Sequence, residues 1–405
     1  MDLELKDFEL ASERLRGILH HTELDLSSTF SDMTGGRIYL KCENRQKTGS
    51  FKIRGASNKI AALAERGEAS AVVASSAGNH AQGVACAARK FGIPATIVMP
   101  KTAPIAKVRA TEGYGAKVVL AGECYDDAYA RACEICREEG ATFLHPYNDA
   151  EVIAGQGTLG MEILGDPPSV DIVVVPAGGG GLLAGVAAAV KQLNPRVKVY
   201  GVQAEGADAI VRSFREKRLV TTDSASTIAD GIAVKAPGDL TVELINRYAD
   251  GVVTVSDTEI ADAILLLLER CKQVVEPAGA TPLAAVLNGK LDVKGKRVVC
   301  LLSGGNIDVS FIQSIIERGL VARHRRIRFV VTLVDRPGSL MQMLGVISGA
   351  GANILQLEHD KLSEGLNPNE TNVHVSLEVG GAEHGEAVIN SLREKGYTVV
   401  KEDKK

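Results

Sequence analysis

Lys52 stands in the run Ser50-Phe51-Lys52-Ile53-Arg54-Gly55-Ala56, which places a lone amine in an unusual setting. Thr48-Gly49-Ser50 reads as a loop whose serine caps a helix, and Ile53, Ala56, Ile60, Leu63 and Ala64 then recur at helical spacing until Gly67. Lys52 falls in the first turn. Helix starts carry partial positive charge, so a lysine there is disfavoured by a few tenths to about 1 kcal/mol. Held near those dipoles and out of water, its neutral form is favoured, and the neutral amine is the one that condenses with aldehydes. The expected chemistry is that of a Schiff-base lysine. The ordinary alternative is a lysine that simply reaches solvent.

Three other segments offer complementary chemistry. A strand ending at Pro176 feeds Gly178, Gly179, Gly180 and Gly181 and then a helix beginning near Leu182. Glycines let the backbone approach a phosphate, and the helix start turns unpaired N–H groups toward it. The alternative is a flexible turn. Gly179 to Ala184 also fits the loose G-x-G-x-x-A pattern, which makes an NAD-dependent dehydrogenase the competing class. That fingerprint belongs at the first strand of its domain, with an acidic residue about twenty positions on. Here the loop is mid-chain, and the next strand ends in Gln203. Ser76, Ala77, Gly78, Asn79 and His80 lead from another strand into a helix and suit a substrate carboxylate. Ser303-Gly304-Gly305-Asn306 places a serine hydroxyl at a third strand end. An imine-forming lysine, a phosphate cradle, a carboxylate seat and a strand-end serine together suit a phosphorylated aldehyde cofactor, pyridoxal phosphate.

The elements that must position these groups are short apolar runs alternating with Ala-rich helical segments. Strands are expected at Ala71 to Ala74, Ala95 to Met99, Lys117 to Leu120, Asp171 to Pro176, Lys198 to Gln203 and Arg297 to Leu302. Continuous β-branched runs separated by helices indicate strands buried on both faces, hence an α/β fold of two open sheets. One sheet is expected from about residue 44 to 148 and a larger one from the remainder of residues 1–320, with the ligand in the cleft between them. After Leu320 a short charged stretch, Arg323-His324-Arg325-Arg326, reads as a linker over 321–328. Residues 329–405 then follow the order βαββαβ, the ferredoxin-like arrangement. Pro337 and Gly338 shape the turn into its first helix and leave backbone N–H groups free for a carboxylate.

Composition removes several classes. A chain of 405 residues exceeds one core, and a net charge of -4 with 4% aromatics and no Trp leaves no footprint for nucleic acid. Seven irregularly spaced cysteines read as reduced thiols of a cytosolic protein. Cys133 and Cys136 form a C-x-x-C inside a helical stretch without further ligands, so no metal is expected. No apolar stretch is long enough to span a membrane, and the start lacks a secretory pattern. No G-x-x-x-x-G-K-[ST], H-E-x-x-H or G-x-S-x-G run is present.

Lys41-Cys42-Glu43-Asn44 through Ala56, then Ser76 to Gly83, Gly178 to Gly181, and Ser303 to Asn306 occur in the order found in the threonine dehydratases, which this chain resembles over nearly all of residues 1–320. These are fold-type II pyridoxal phosphate enzymes of the tryptophan synthase β-like fold. The tail, with Asp335 to Leu340 and Gly351 to Ile354, resembles a single ACT domain. The resemblance implies that Lys52 holds the cofactor covalently beside Phe51, that Gly178 to Gly181 and Leu182 bind its phosphate, that Asn79 meets the ring hydroxyl and that Ser303 faces the pyridine nitrogen. It implies dehydration of threonine to 2-oxobutanoate and ammonia, with serine as a second substrate, in a homodimer or homotetramer. It also implies an amino-acid effector, isoleucine first and valine and threonine next, at Pro337, Gly338, Leu340, Asn353 and Ile354. The rival within the fold is serine racemase, in which a serine occupies the position of Ala77 and supplies a second base. In the same racemases a carboxylate at the position of Gln203 binds a cation. Both departures favour dehydration.

Overall fold

The computed structural model describes residues 3–68, 70–166, 168–362 and 365–402. The chain packs as two compact units, Met1–Asp308 and Val309–Lys405.

Two sheets organise the first unit. The larger runs, in spatial order, Leu24–Ser27, Arg37–Cys42, Arg297–Leu302, Ile172–Pro176, Lys198–Ala204 and Gly251–Val255. Its first pair is antiparallel and the rest are parallel. Val173, Val174 and Val175 are fully buried, each contributing about 1.5–3 kcal/mol relative to exposure. The smaller sheet is all parallel, in the order Lys117–Leu120, Ala95–Met99, Val72–Ser75 and Thr142–Phe143. Ligands of open parallel sheets gather beyond the carboxyl ends of the strands. Ser76, the glycine run and Ser303 each follow such an end.

Strand Arg37–Cys42 is absent from the sequence reading because a lysine interrupts its apolar run. Lys41 is nonetheless fully buried between two other strands, its Nζ 2.8 Å from Glu162 and 3.6 Å from Asp166. Beside it Arg54, also fully buried, bonds Glu43 through Nε and Nη2 at 2.8 Å each and Glu162 through Nη1 at 2.6 Å. Thr22 Oγ1 donates to Glu43 at 2.7 Å. Burial opposes the Arg54 charge, and Glu43 and Glu162 more than restore it. Burial likewise pushes the Glu162 carboxyl up, and Arg54 and Lys41 bring it below its ordinary value. Arg54 thereby anchors the first turn of helix Lys52–Glu65.

That helix starts differently from the expectation. The capping position is Phe51 and no side chain caps it; the Ser50 hydroxyl is buried without a partner. Backbone contacts do the positioning instead. Phe51 N–H donates to the Ser303 carbonyl at 3.0 Å, Ser50 bridges Gly304, and Gly305 N–H donates to the Gly49 carbonyl at 2.9 Å. Close helix crossings lock the same turn. A Cβ on Gly55 would lie 2.8 Å from the Val152 carbonyl, and one on Gly155 would lie 2.7 Å from the Arg54 carbonyl, so helix Ala150–Gly165 can approach only glycine here.

In the second unit, helix Val309–Ala322 precedes the sheet, so residue 320, where the sequence suggests a boundary, lies inside a helix. The sheet is antiparallel, in the order Asn353–Asp360, Glu370–Glu378, Arg326–Val334 and Thr398–Lys401. Helices Ser339–Gly349 and Ala382–Glu394 contribute Met343, Ile347, Val388, Ile389 and Leu392 to a core shared with Phe329, Val331 and Leu333. The chain order is βαββαβ.

Candidate active site

A cavity of about 610 Å³ opens between the sheets of the first unit. Phe51, Lys52, Ser76, Ala77, Gly78, Asn79 and His80 line it from one side, and Gly178 to Gly181, Leu182 and Ser303 from the other. All of the cofactor and substrate residues expected from the sequence therefore meet in one place.

Lys52 is the first residue of its helix, and its Nζ donates to the Pro146 carbonyl at 3.0 Å. Burial pushes the amine down to about 8, and Glu276 pulls the other way. The cause differs in emphasis from the helix-start argument: desolvation dominates. The Pro146 carbonyl is held in place by its neighbour. His145 Nδ1 accepts from the N–H of Asn148 at 2.8 Å and of Tyr147 at 3.3 Å, which folds residues 145–148 into a tight turn. Burial foremost, and the Lys52 charge, hold His145 down to about 4, so its ring is neutral and Nδ1 is free to accept.

The glycine run is a shaped cradle. Gly180 caps helix Gly181–Leu193 with φ +97°, a backbone state that other residues rarely adopt. A Cβ on Gly179 would overlap the Tyr147 ring, and one on Gly178 would lie 2.9 Å from Ile232 Cα. Thr241 Oγ1 donates to the Gly179 carbonyl at 2.7 Å and fixes the loop from behind. The helix start, with its unpaired N–H groups, thus faces the cavity as an anion seat.

On the opposite side, Ser76 Oγ accepts from Gly78 N–H at 3.1 Å and helix Asn79–Phe91 begins without a side-chain cap. Its first backbone donors remain available to a carboxylate. The His80 side chain is turned to structure: Nε2 donates to the Leu144 carbonyl at 2.9 Å, and burial foremost, with the Lys52 charge, pushes it down to about 3. Ser303 is 2% exposed, and its carbonyl receives Phe51 N–H, so the hydroxyl-bearing residue and the Lys52 turn are tied together.

Glu276 escaped the sequence reading. It stands immediately before helix Pro277–Leu287 without a side-chain capping bond, is buried, and receives Asn79 Nδ2 at 3.0 and 2.9 Å. An acid immediately before a helix-starting proline was the available signal, but its partner lies 197 residues away. Tyr147 and Thr241, which back the glycine loop, were equally invisible for the same reason.

Gln203 is buried, its Oε1 accepting from Val211 N–H at 2.9 Å and its Nε2 unpartnered. Among the described residues, no group of three or more His, Cys, Asp or Glu side chains is placed to hold a metal ion. All seven cysteines are free, and Cys133 and Cys136 lie in helix Tyr125–Glu139. No helix of the described residues is long and apolar enough to cross a membrane.

In the second unit, Pro337 and Gly338 precede helix Ser339–Gly349, with Gly338 at its N-terminal cap and Leu340 in its first turn. Asn353 and Ile354 open the strand that follows the helix, a helix length of about 16 Å farther along.

A family model described as "Pyridoxal-phosphate dependent enzyme" matches residues 16–304. The chain is 51% identical over 397 residues, 98% of its length and 99% of the relative's, to an L-threonine ammonia-lyase of Thermotoga maritima. Among solved structures, the processed form of threonine deaminase isoform 2 from Solanum lycopersicum superposes with TM-score 0.73 at 34% identity, covering 78% of this chain and 89% of that one. A maize serine racemase superposes with TM-score 0.74 at 36% identity, covering 80% and 100%. The buried lysine, the glycine cradle and these matches agree, and the chain belongs to the family of pyridoxal-phosphate dependent enzymes.

Proposed function

We propose that the protein is a threonine ammonia-lyase, converting threonine to 2-oxobutanoate and ammonia, with serine turned over to pyruvate as a side activity. The carrying observation is the Lys52 amine, depressed to about 8, in the same cavity as the glycine cradle, Asn79 and Ser303. The residues fit pyridoxal phosphate: an amine for its aldehyde, a helix start without intruding Cβ atoms for its phosphate, and Asn79 Oδ1, buried and unpartnered, for its ring oxygen. When bound, this cofactor serves as the electron sink that stabilises negative charge at the substrate Cα.

The chain's own groups do the rest. The uncapped N–H groups at the start of helix Asn79–Phe91 seat the carboxylate and orient the Cα–H bond toward Lys52. Lys52 Nζ, freed from its covalent role, accepts the Cα proton; the Pro146 carbonyl restrains the amine by a hydrogen bond. A serine hydroxyl at position 303, unlike a carboxylate, does not hold a proton on the pyridine nitrogen. With a hydroxyl rather than a carboxylate at that position, elimination would be favoured, the β-hydroxyl leaving as water with one proton taken up for the one Lys52 removes from Cα. Ala77 presents a methyl group and no second base, which supports elimination over racemisation. A hydrophobic pocket discriminates the extra methyl of threonine by roughly 10- to 200-fold, so serine remains a slower substrate.

The second unit is proposed as an ACT domain, on its βαββαβ order and antiparallel sheet. An amino-acid site shared between paired units is proposed at Pro337, Gly338, Leu340, Asn353 and Ile354, in a homodimer or homotetramer, and the free cysteines accord with a cytoplasmic protein. Isoleucine is the first effector to test, valine next.

The test is direct. Purified full-length protein is given threonine, and 2-oxobutanoate, ammonia and the absorption spectrum are followed. A visible cofactor band and 2-oxobutanoate are expected; NAD binding without such a band would overturn the assignment, and D-serine from L-serine would move it to a racemase. Gly179→Ala is expected to weaken cofactor binding by about 10- to 100-fold, because Tyr147 cannot yield. Its hydroxyl is bonded to the Ala236 carbonyl at 2.9 Å and its ring packs edge-on to His145 at 4.6 Å. Titration of the cofactor-free variant by absorbance reads the change.

A further inference from the structure

Glu276 and Asn79 form a pair with two hydrogen-bonding states. Asn79 Nδ2 lies 3.0 and 2.9 Å from the two carboxylate oxygens, while Asn79 Oδ1 is buried and receives nothing. The asparagine amide interchanges its donor and acceptor faces by a half-turn about the Cβ–Cγ bond. An ionised Glu276 accepts only, so it selects the NH₂ face and leaves Oδ1 directed elsewhere. A protonated Glu276 donates its O–H to Oδ1, and the amide, turned over, leaves its NH₂ free.

We propose that Glu276 is a positioning residue which, through the Asn79 amide, sets whether the site offers an acceptor or a donor to the ring oxygen of bound pyridoxal phosphate. The inference rests on the reading that the cofactor ring lies against Asn79. The groups around Glu276 support a titration in the accessible range. Burial pushes its carboxyl up to about 7; Asn79 opposes this, Asp230 adds to it, and the Asn306 N–H and Lys52 oppose it. These come from four separate segments. Asp230 is itself 3.8 Å from Lys107, which tempers its charge, and the helix start at Pro277 favours the ionised form. Gly304 lies so close that a Cβ there would be 2.5 Å from Oε1, so no water layer screens that side.

The sign of the effect is distinctive. Raising the pH ionises Glu276, turns the acceptor face of Asn79 to the ring and retains the proton on the ring oxygen. Lowering it turns the donor face inward, and the ring proton moves to the nitrogen contributed by Lys52. The long-wavelength form of the bound cofactor, which lacks the ring-oxygen proton, should therefore decline as pH rises, opposite to a simple deprotonation. In the holoenzyme we expect the ratio of long-wavelength to near-ultraviolet bands to fall several-fold across the unit on either side of 7. Glu276→Gln should make the ratio independent of pH, and Asp230→Asn should move the midpoint to lower pH. A Glu276→Gln enzyme that keeps the wild-type response, a wild-type ratio that is flat or rises with pH, or an unmoved midpoint in Asp230→Asn would each overturn the proposal. If instead the wild type shows no cofactor band dependent on Lys52, it is the cofactor assignment that fails.

Discussion

Lys52→Ala abolishes the covalent cofactor band and lowers the rate of 2-oxobutanoate formation by at least about 10³-fold, since both the attachment point and the proton acceptor are lost. Borohydride reduction followed by mass measurement separates the two roles: the wild type retains the cofactor mass on the peptide containing Lys52, and the variant does not. Retention of the mass at another lysine would remove Lys52 from its assigned place. The same amine sets a pH dependence. Its ammonium form cannot attack an aldehyde, and its pKa is lowered to about 8 rather than raised. The neutral fraction therefore grows as pH rises toward 8 and saturates above it. Capture of pyridoxal phosphate by the cofactor-free protein should accelerate about tenfold per pH unit below that value and level off beyond it. Stopped-flow absorbance reads this; a rate still climbing steeply at pH 10 would mean that the lysine keeps its ordinary value in solution.

Arg54→Met is expected to cost about 3–5 kcal/mol of stability, the range for removing one partner of a buried ion pair. The arginine is fully buried, as is Glu43. With the guanidinium gone, Glu43 keeps the Thr22 hydroxyl at 2.7 Å, and Glu162 keeps Lys41 at 2.8 Å. A midpoint lower by on the order of 10 °C follows for a unit of this size. Arg54→Met combined with Glu43→Leu should recover part of the loss, because no uncompensated charge is then left in the interior. Equal stability of the wild type and the single variant in thermal unfolding would show that the network carries little energy. Since Arg54 lies half a helical turn beyond Lys52, the variant should also bind cofactor less tightly.

Much of the site is local and was legible for that reason. Lys52, the four glycines, Ser76 to His80 and Ser303 each sit at a junction of strand or loop with helix, and hydrophobic periodicity over about ten residues reveals such junctions. Strands Ala95–Met99, Lys117–Leu120 and Arg297–Leu302 have the bounds read from the sequence, because continuous apolar runs bounded by turn residues leave little freedom. Strand Arg37–Cys42 was hidden by Lys41, whose burial depends on carboxylates more than a hundred residues away. Ser50 illustrates the converse. It has a capping residue type at a capping distance, yet the backbone of residues 303–305 arrives first and holds the turn without it.

Residue order thus specified the parts: an amine at a helix start, a glycine cradle, a carboxylate seat, a strand-end serine and a separate βαββαβ tail. Each follows from contacts within a few positions along the chain. The electrostatic state of the parts came from folding. Lys52 is depressed mainly because surrounding elements exclude water, and Glu276 meets Asn79 because the two sheets close on one cavity. Desolvation and long-range hydrogen bonds depend on which distant segments become neighbours, and no spacing along a single chain encodes that distance directly.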